Sequence, residues 1–160
     1  MKVLYFDTFS LFYSHKYINS DKKISLTYEK WRHNPSTNLL KSVKPDITGI
    51  EKLRSAANES GFKMYPLGTK YTREMFIDYD LLTEEELAPD TILSIRMGDN
   101  DPIRRMIVHS HKLNATWYVC GDAFSEVLST YEKERHLTST FGLGVTDELI
   151  SKVLSLKNCL

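Results

Sequence analysis

The run Val3-Leu4-Tyr5-Phe6, which passes directly into Asp7, constrains the fold of this chain more than any other stretch. An uninterrupted apolar run of this kind is typical of a strand buried on both faces, as in a parallel sheet covered by helices. A carboxylate at the carboxyl end of such a strand lies where open α/β sheets bind their ligands. Asp7 is therefore either a ligand-facing acid or the cap of the following turn, and its position alone leaves both interpretations open.

The length and composition of the chain fit one domain over residues 1 to 160. This length is enough to enclose a core, and no apolar run approaches the roughly 18 residues of a membrane span. The N-terminus lacks the pattern of a signal peptide. Cys120 and Cys159 have neither CxxC nor metal-ligand spacing, which indicates reduced thiols and a cytoplasmic protein.

The net charge is zero, but the charges are unevenly distributed. Up to Arg73 the chain carries 13 Lys or Arg against 6 Asp or Glu, and from Glu74 onward 8 against 15, so the two halves carry +7 and −7. This asymmetry indicates either an anionic partner for the basic half or two halves that face each other. The second interpretation, or a simply solvated surface, is the favoured one.

Two β-rich runs flank a polar cluster after the first strand, and they predict a hairpin over about residues 11 to 28. Such a hairpin would stand over Asp7 as a flap. It would present cationic and aromatic side chains suited to nucleic acid or to a partner protein, namely His15, Lys16, Tyr17, Lys22 and Lys23, with Phe12 and Tyr13 beside them. The alternative is a surface hairpin with solvated lysines.

The remainder of the chain alternates between helices and strands. Helices are predicted near residues 37–43 and over 46–61, 71–82, 102–113, 123–134 and 146–157, and strands over 62–69, 91–97, 115–120 and 136–141. Asp46, Asp101 and Thr146 are the expected N-caps of three helices. The alternation predicts an α/β fold, a three-layer, Rossmann-like parallel sheet with right-handed crossovers and helices on both faces.

A second apolar strand also ends in a carboxylate, because residues 115–120 are followed by Gly121 and Asp122. If Asp7 and Asp122 meet at one edge of the sheet, their oxygens suit Mg²⁺. One of them would also be placed to attack a phosphoryl group. The alternative is two separate caps of helices or turns.

Taken in order, these features resemble the haloacid dehalogenase (HAD) superfamily, and most closely the HAD domains of the Swiss army knife RNA repair group. The resemblance rests on the strand ending in Asp7, the predicted flap, Gly68-Thr69, Gly121-Asp122-Ala123-Phe124-Ser125-Glu126, and the closing Gly142-Leu143-Gly144-Val145-Thr146. It covers almost the whole chain. It implies a HAD-like fold with a flap after strand 1 and Mg²⁺-dependent phosphoryl chemistry.

The first motif of that family is Asp-x-Asp, a nucleophile followed by a general acid, and here it is Asp7-Thr8-Phe9. The resemblance places Asp7 as the nucleophile and Phe9 in the position of the acid. Phenylalanine cannot donate a proton, and the loss of a positioned general acid typically costs about 10²–10⁴ in rate.

The resemblance also implies a phosphoryl-binding role for Thr69 and a basic catalytic role for Arg104. Arg96 and Arg105 remain alternatives for the basic residue.

The implied Mg²⁺ ligands are Asp7, Asp122 and Glu126. The stretch Gly98-Asp99-Asn100-Asp101-Pro102 resembles a rival second acidic motif of the same superfamily. Asp122 is the favoured choice because its strand is more apolar and because Asp101 has a sufficient role as a helix cap.

Two functions follow from these residues and the resemblance. The first is a degenerate, non-catalytic HAD-like protein that binds nucleic acid or a nucleic-acid-handling protein, as a regulator of transcription or RNA processing. Its small size and its Lys-, Asn-, Ser- and Ile-rich composition would suit a phage-encoded regulator. The alternative is a working Mg²⁺-dependent phosphohydrolase that acts on a nucleotide or a nucleic-acid end through Asp7.

Overall fold

A four-stranded parallel sheet forms the centre of the computed structural model, which describes residues 1–34, 38–122 and 133–158. The strands are β1 (Lys2–Phe6), β2 (Phe62–Pro66), β3 (Thr116–Cys120) and β4 (His136–Leu137). They lie in the order β2-β1-β3-β4, and each neighbouring pair is parallel. The prediction of a Rossmann-like α/β fold is confirmed.

Helices connect and cover these strands. They are α1 (Thr8–Phe12), α2 (His15–Ile18), α3 (Lys22–Trp31), α4 (Leu39–Ser42), α5 (Ile47–Glu59), α6 (Arg73–Asp78), α7 (Pro102–Lys112) and α8 (Asp147–Leu154). Two short 3₁₀ turns occupy Glu84–Glu86 and Lys133–Arg135. Within the described ranges, none of the helices has both the length and the apolar character that crossing a membrane requires.

Strand β1 lies at the centre of the core because its side chains pack on both faces of the sheet. Leu4 and Phe6 join the apolar cluster to which α5 and α8 contribute, whereas Val3 and Tyr5 join a second cluster to which α7 contributes. These four side chains are at most 1% exposed. A strand enclosed in this way needs a continuous apolar run, which is what the sequence has here.

Strands are added to the sheet first on one side of β1 and then on the other. Helix α5 leads from β1 to β2 on one face of the sheet, and α7 leads past β1 to β3 on the other face. Crossovers of the same hand that move in opposite directions must cover opposite faces. The reversal creates a topological switch point at the carboxyl ends of β1 and β3, which is where sheets of this kind bind their ligands.

The hairpin predicted over residues 11 to 28 is wrong, because the chain after β1 forms the three short helices α1 to α3. Asp7, Ser14 and Asp21 cap these helices in turn, and each side chain accepts a hydrogen bond from a backbone amide two or three residues later. Leu11 and Ile18 are buried by this arrangement. Capping and burial therefore override the strand propensity of the stretch.

The strand predicted over residues 91 to 97 is also wrong, because in the described part of the chain this stretch pairs with no strand. Strand β1 pairs instead with β2 on one side and with β3 on the other. The free edge of β2 receives a single parallel bridge, from Leu87 to Met64. Pairing depends on distant parts of the chain, so local alternation alone did not determine it.

The helices with clear caps agree best with prediction. Asp46, Asp101 and Thr146 cap α5, α7 and α8 as expected. The helix predicted over 71–82 is shorter, and the strand predicted over 136–141 is limited to the two residues of β4. The helix predicted at 123–134 falls mostly outside the described residues.

Glu86 ties the first 3₁₀ turn to α5. Its Oε2 atom accepts hydrogen bonds from Arg54 Nε at 2.5 Å and from Asn58 Nδ2 at 2.8 Å, and Oε1 accepts one from the Thr83 amide at 2.9 Å. Burial alone would raise the pKa of Glu86, but these hydrogen bonds outweigh it and lower the pKa to about 2.

We expect Glu86→Gln to reduce the free energy of unfolding at neutral pH by about 1 kcal/mol, because it removes the charged partner of Arg54. The folded pKa of Glu86 lies below its ordinary value of 4.5. The stabilisation is therefore complete above that value and is lost as the pH falls toward 2. Urea unfolding of both proteins across this range measures the effect. The exposed neighbour change Glu85→Gln is the control, and equal losses in the two variants would contradict the assignment.

Candidate functional site

Asp7 and Asp122 lie together at the carboxyl edge of the sheet. Asp7 follows β1, Asp122 follows β3 after one glycine, and the Asp7 amide donates a hydrogen bond to the Cys120 carbonyl at 3.1 Å. Ser10 contacts both acids, since its amide donates to Asp7 Oδ2 at 3.0 Å and its Oγ accepts from the Asp122 amide at 2.9 Å. Two acids far apart in the sequence thus share one partner.

Gly121 allows the two strand ends to approach so closely. Its φ is +118°, and a Cβ atom there would lie 2.8 Å from Asp7 Cβ and 2.9 Å from Ser10 Oγ. The carbonyl of Gly121 also forms a hydrogen bond with His136 Nε2 at 2.8 Å, which ties the turn after β3 to β4. Any side chain at this position would push the two acids apart.

A cavity of about 400 Å³ opens over the two acids. Its aromatic wall is formed by Phe9, Tyr13 and Tyr28. Tyr13 and Tyr28 stack with ring centroids 6.3 Å apart and planes at 23°, and Phe9 meets Tyr13 at 6.3 Å. The lining therefore combines flat aromatic side chains with carboxylates.

The rim of the cavity carries both signs of charge. Glu29, His15 and Arg32 line it, and Arg32 donates to Glu29 Oε1 and to His33 Nε2, each at 3.0 Å. Arg32 is therefore partly neutralised by its own helix. In the described part of the chain, no hydrogen bond joins His15 or Arg32 to the carboxylate oxygens of Asp7 or Asp122.

The closing segment of the predicted motif reaches the same site. The Gly142 amide donates to Asp122 Oδ2 at 3.3 Å, and the Gly142 carbonyl accepts from the Lys16 amide at 3.0 Å. Phe141 lies against the His15 ring at 5.7 Å. The segment thus connects the second acid to the start of α2.

The environment of Asp122 disfavours its charged form. Burial raises the pKa of Asp122 above its ordinary value, and the nearby charge of Asp7 raises it further. The Gly142 hydrogen bond and the charge of His136 act in the opposite direction but do not cancel the increase. A cation placed between the two acids would relieve this cost.

Comparisons with protein-family models, with curated proteins and with solved structures find no match to this chain.

Of the residues predicted for catalysis and metal binding, the cavity brings together Asp7 and Asp122. Thr69 is exposed and lines a different cavity, beyond the end of β2. Arg104 is exposed at the start of α7 and pairs with Asp99. Glu126 lies outside the described residues. The structure therefore places two of the five predicted residues at one site.

The rival acidic motif lies elsewhere. Asp101 caps α7 through hydrogen bonds from the Ile103 and Arg104 amides, and Asp99 pairs with Arg104. Neither acid lines the cavity over Asp7. The choice of Asp122 as the acid that meets Asp7 is therefore the one that agrees with the geometry.

The residues predicted for partner binding do not all line one cavity. His15 lines the cavity, whereas Lys16 and Tyr17 line a separate groove. The Tyr17 hydroxyl donates to the Lys44 carbonyl at 2.6 Å. Lys22 and Lys23 are exposed in the first turn of α3 and line neither cavity.

The aromatic residues expected on the flap are placed differently from the prediction. Phe12 is fully buried, and Tyr13 is 4% exposed with its hydroxyl donating to the Val43 carbonyl at 2.8 Å. Both belong to the core, although the edge of Tyr13 still faces the cavity.

The pair of acids fits Mg²⁺ in part. This ion is commonly held by one or two carboxylates together with waters and ligand phosphates, and Asp7 and Asp122 supply such a pair. Among the residues that the structure describes, no group of three His, Cys, Asp or Glu side chains forms a metal site. A bound ion would therefore rely on water and on the ligand for its remaining oxygens.

Sequence reasoning missed Ser10, Tyr28 and Glu29. Ser10 lies three residues after Asp7, at the position where a helix amide bonds to its cap, and this spacing was a usable signal. Tyr28 and Glu29 reach the site because α3 folds back over it, which no local pattern indicates.

We expect Gly121→Ala to reduce the free energy of unfolding by about 2–4 kcal/mol, since it adds both a positive-φ residue and a steric conflict. Gly98→Ala is the matched control, because Gly98 has a φ of +83° and no atom lies within 4 Å of the place that its new methyl group would take. That control should lose about 1 kcal/mol. Chemical denaturation of the two variants measures the difference, and equal losses would show that Gly121 is not crowded by Asp7.

Replacing Asp7 by Asn should lower the pKa of Asp122, because one of the influences that raise it is the charge of Asp7. Asparagine caps a helix as well as aspartate does, so the fold should be kept. Carboxyl-carbon NMR titration of Asp122 measures the pKa in both proteins. Asp78→Asn, at an exposed acid at the end of α6, is the control. An unchanged pKa of Asp122 in Asp7→Asn would contradict the coupling.

Proposed function

We propose that the cavity binds a nucleotide, or the phosphate-bearing end of a nucleic-acid strand, together with Mg²⁺. In this proposal the protein is a HAD-like regulatory binding factor that does not turn its ligand over. The observation that carries the proposal is the meeting of Asp7 and Asp122 beneath an aromatic-walled cavity at the switch point of the sheet.

The carboxylates of the cavity are the reason for proposing a metal ion and a phosphate. Two carboxylates would repel a free phosphate, so an anionic ligand needs a cation between itself and Asp7 and Asp122. Mg²⁺ bridging carboxylates and phosphate oxygens is the ordinary solution to this problem. Arg32, which also lines the cavity, would add positive charge on the outer side of the phosphate.

The aromatic side chains of the cavity are the reason for proposing a nucleobase. A purine or pyrimidine has a flat face, and stacking on an aromatic side chain contributes about 1–3 kcal/mol per base. Tyr28 is half-buried, stacks on the Tyr13 ring and lines the cavity. The cavity volume of about 400 Å³ is within the range of small-molecule sites.

The absence of turnover rests on Phe9. Its ring lines the cavity next to Asp7 and is held edge-on by Tyr71 at 5.2 Å, with Lys70 Nζ 5.0 Å from its centroid. A leaving oxygen near this ring would receive no proton from it. Binding chemistry is retained, while the proton donor that rapid hydrolysis requires is replaced by a hydrocarbon.

Calorimetric titration tests the proposal. The full chain is titrated with a mononucleotide and with a short single-stranded oligonucleotide, each in Mg²⁺ and in EDTA. We expect binding that requires Mg²⁺ and that weakens about tenfold or more in Asp7→Asn, in Asp122→Asn and in Tyr28→Leu, with Asp78→Asn unchanged. Binding of neither probe, or binding indifferent to Mg²⁺ and to both acids, would overturn it.

A phosphohydrolase is the second candidate, because His15 lines the same cavity and an imidazole is a side chain that can act as a general acid, which Phe9 cannot. One oxygen of Asp7 accepts the Ser10 amide, and within the described residues the other accepts no hydrogen bond and is available as a nucleophile. Release of phosphate from a generic aryl phosphate with Mg²⁺ distinguishes the two. Turnover that disappears in Asp7→Asn would establish the hydrolase and refute the non-catalytic proposal.

A further inference from the structure

Residues 90 to 96 form a segment whose exposure alternates with a period of two. Asp90, Ile92, Ser94 and Arg96 are exposed, and the residues between them are half-buried. A period of two is that of an extended chain with one face on the protein and the other in solvent. Ile92 is 89% exposed, which is unusual for a β-branched apolar side chain.

The backbone between the two ends of this segment is available for pairing. Within the described part of the chain, no amide or carbonyl of residues 91 to 95 takes part in a hydrogen bond. The last regular pairing before it is the amide of Ala88 on the Met64 carbonyl at 2.9 Å. An exposed edge with free backbone groups and apolar side chains is a template for another strand.

We propose that this segment pairs antiparallel with the same segment of a second copy of the chain, centred on Leu93. This register places Asp90 opposite Arg96 of the second copy, and Arg96 opposite its Asp90. Ile92 then lies opposite Ser94 and diagonal to the second Ile92, so the two exposed isoleucines can contact each other. The surface is self-complementary, as a two-fold interface requires.

Charge selects this occupant and this register. Asp90 and Arg96 lie three residues on either side of Leu93, on the same exposed face. In the two-fold register both pairs are of opposite sign, whereas a parallel in-register pairing would set like charges side by side. The Tyr65 hydroxyl donates to Asp90 Oδ1, which leaves Oδ2 for the arginine of the second copy.

The dimer is a weak one. Seven residues on each side bury less than the roughly 1,200 Å² of a stable interface, so association should be reversible and visible at high protein concentration. It lies away from the cavity over Asp7 and Asp122, so neither proposal depends on the other.

Sedimentation equilibrium of the full chain over a wide concentration range tests this inference. The wild type should show a monomer–dimer equilibrium. Arg96→Asp and Asp90→Lys should each weaken self-association by about tenfold or more, because each turns both charge pairs into like-charge pairs. An equimolar mixture of the two variants should restore the dimer, since each introduced charge then meets its opposite.

Two proline variants supply a second test that spares the charges. In an antiparallel pair only alternate residues donate their amides to the other strand, so the register centred on Leu93 uses the amide of either Leu93 or Ser94. Both amides are unpaired in the monomer, so Leu93→Pro and Ser94→Pro should each change thermal unfolding little, and one of the two should abolish the dimer. A wild type that stays monomeric, open-ended aggregation, a dimer indifferent to Arg96→Asp or to both proline variants, or a mixture of folded variants that fails to associate would each overturn the proposal.

Discussion

Burial of β1 on both faces is the constraint on which the rest of the structure depends. A strand with no polar face must be covered by helices on two sides, and α5 and α7 do this because the crossovers to β2 and to β3 run in opposite directions along the sheet. This reversal brings the carboxyl ends of β1 and β3 together at a switch point. The meeting of Asp7 and Asp122 is thus a consequence of how the core is enclosed.

The parts of the fold that were predictable from sequence are those that short-range chemistry determines. Asp101 precedes a proline and Thr146 precedes an amphipathic run, and each signal lies within four residues of sequence. Such short signals specify where a helix begins. Ser14 and Asp21 carry the same signal, but the aromatic and β-branched residues between them favour strands, and burial decides the outcome. Residues 91–97 have the local pattern of a strand but pair with no strand in the described part of the chain, because pairing depends on contacts with distant residues.

The candidate site divides along the same line. The meeting of Asp7 and Asp122 was predictable because the carboxyl ends of parallel strands lie at the same edge of the sheet. Thr69 and Arg104 were assigned through resemblance, and the loops after β2 and before α7 carry them elsewhere. Tyr28 could not be predicted, because it reaches the cavity through the packing of a whole helix across the sheet edge.

Placing Asp7 and Asp122 side by side disfavours the ionised form of Asp122, and the hydrophobic core does not require this arrangement. Burial and the charge of Asp7 both oppose ionisation of Asp122, and the Gly142 amide and His136 offset them incompletely. A divalent cation would reverse this balance, because it favours the charged form of both carboxylates at once. Metal binding would then be coupled to proton release, so affinity would rise with pH until Asp122 is fully ionised. Local conflict of this kind, in an otherwise consistent fold, is typical of a ligand site.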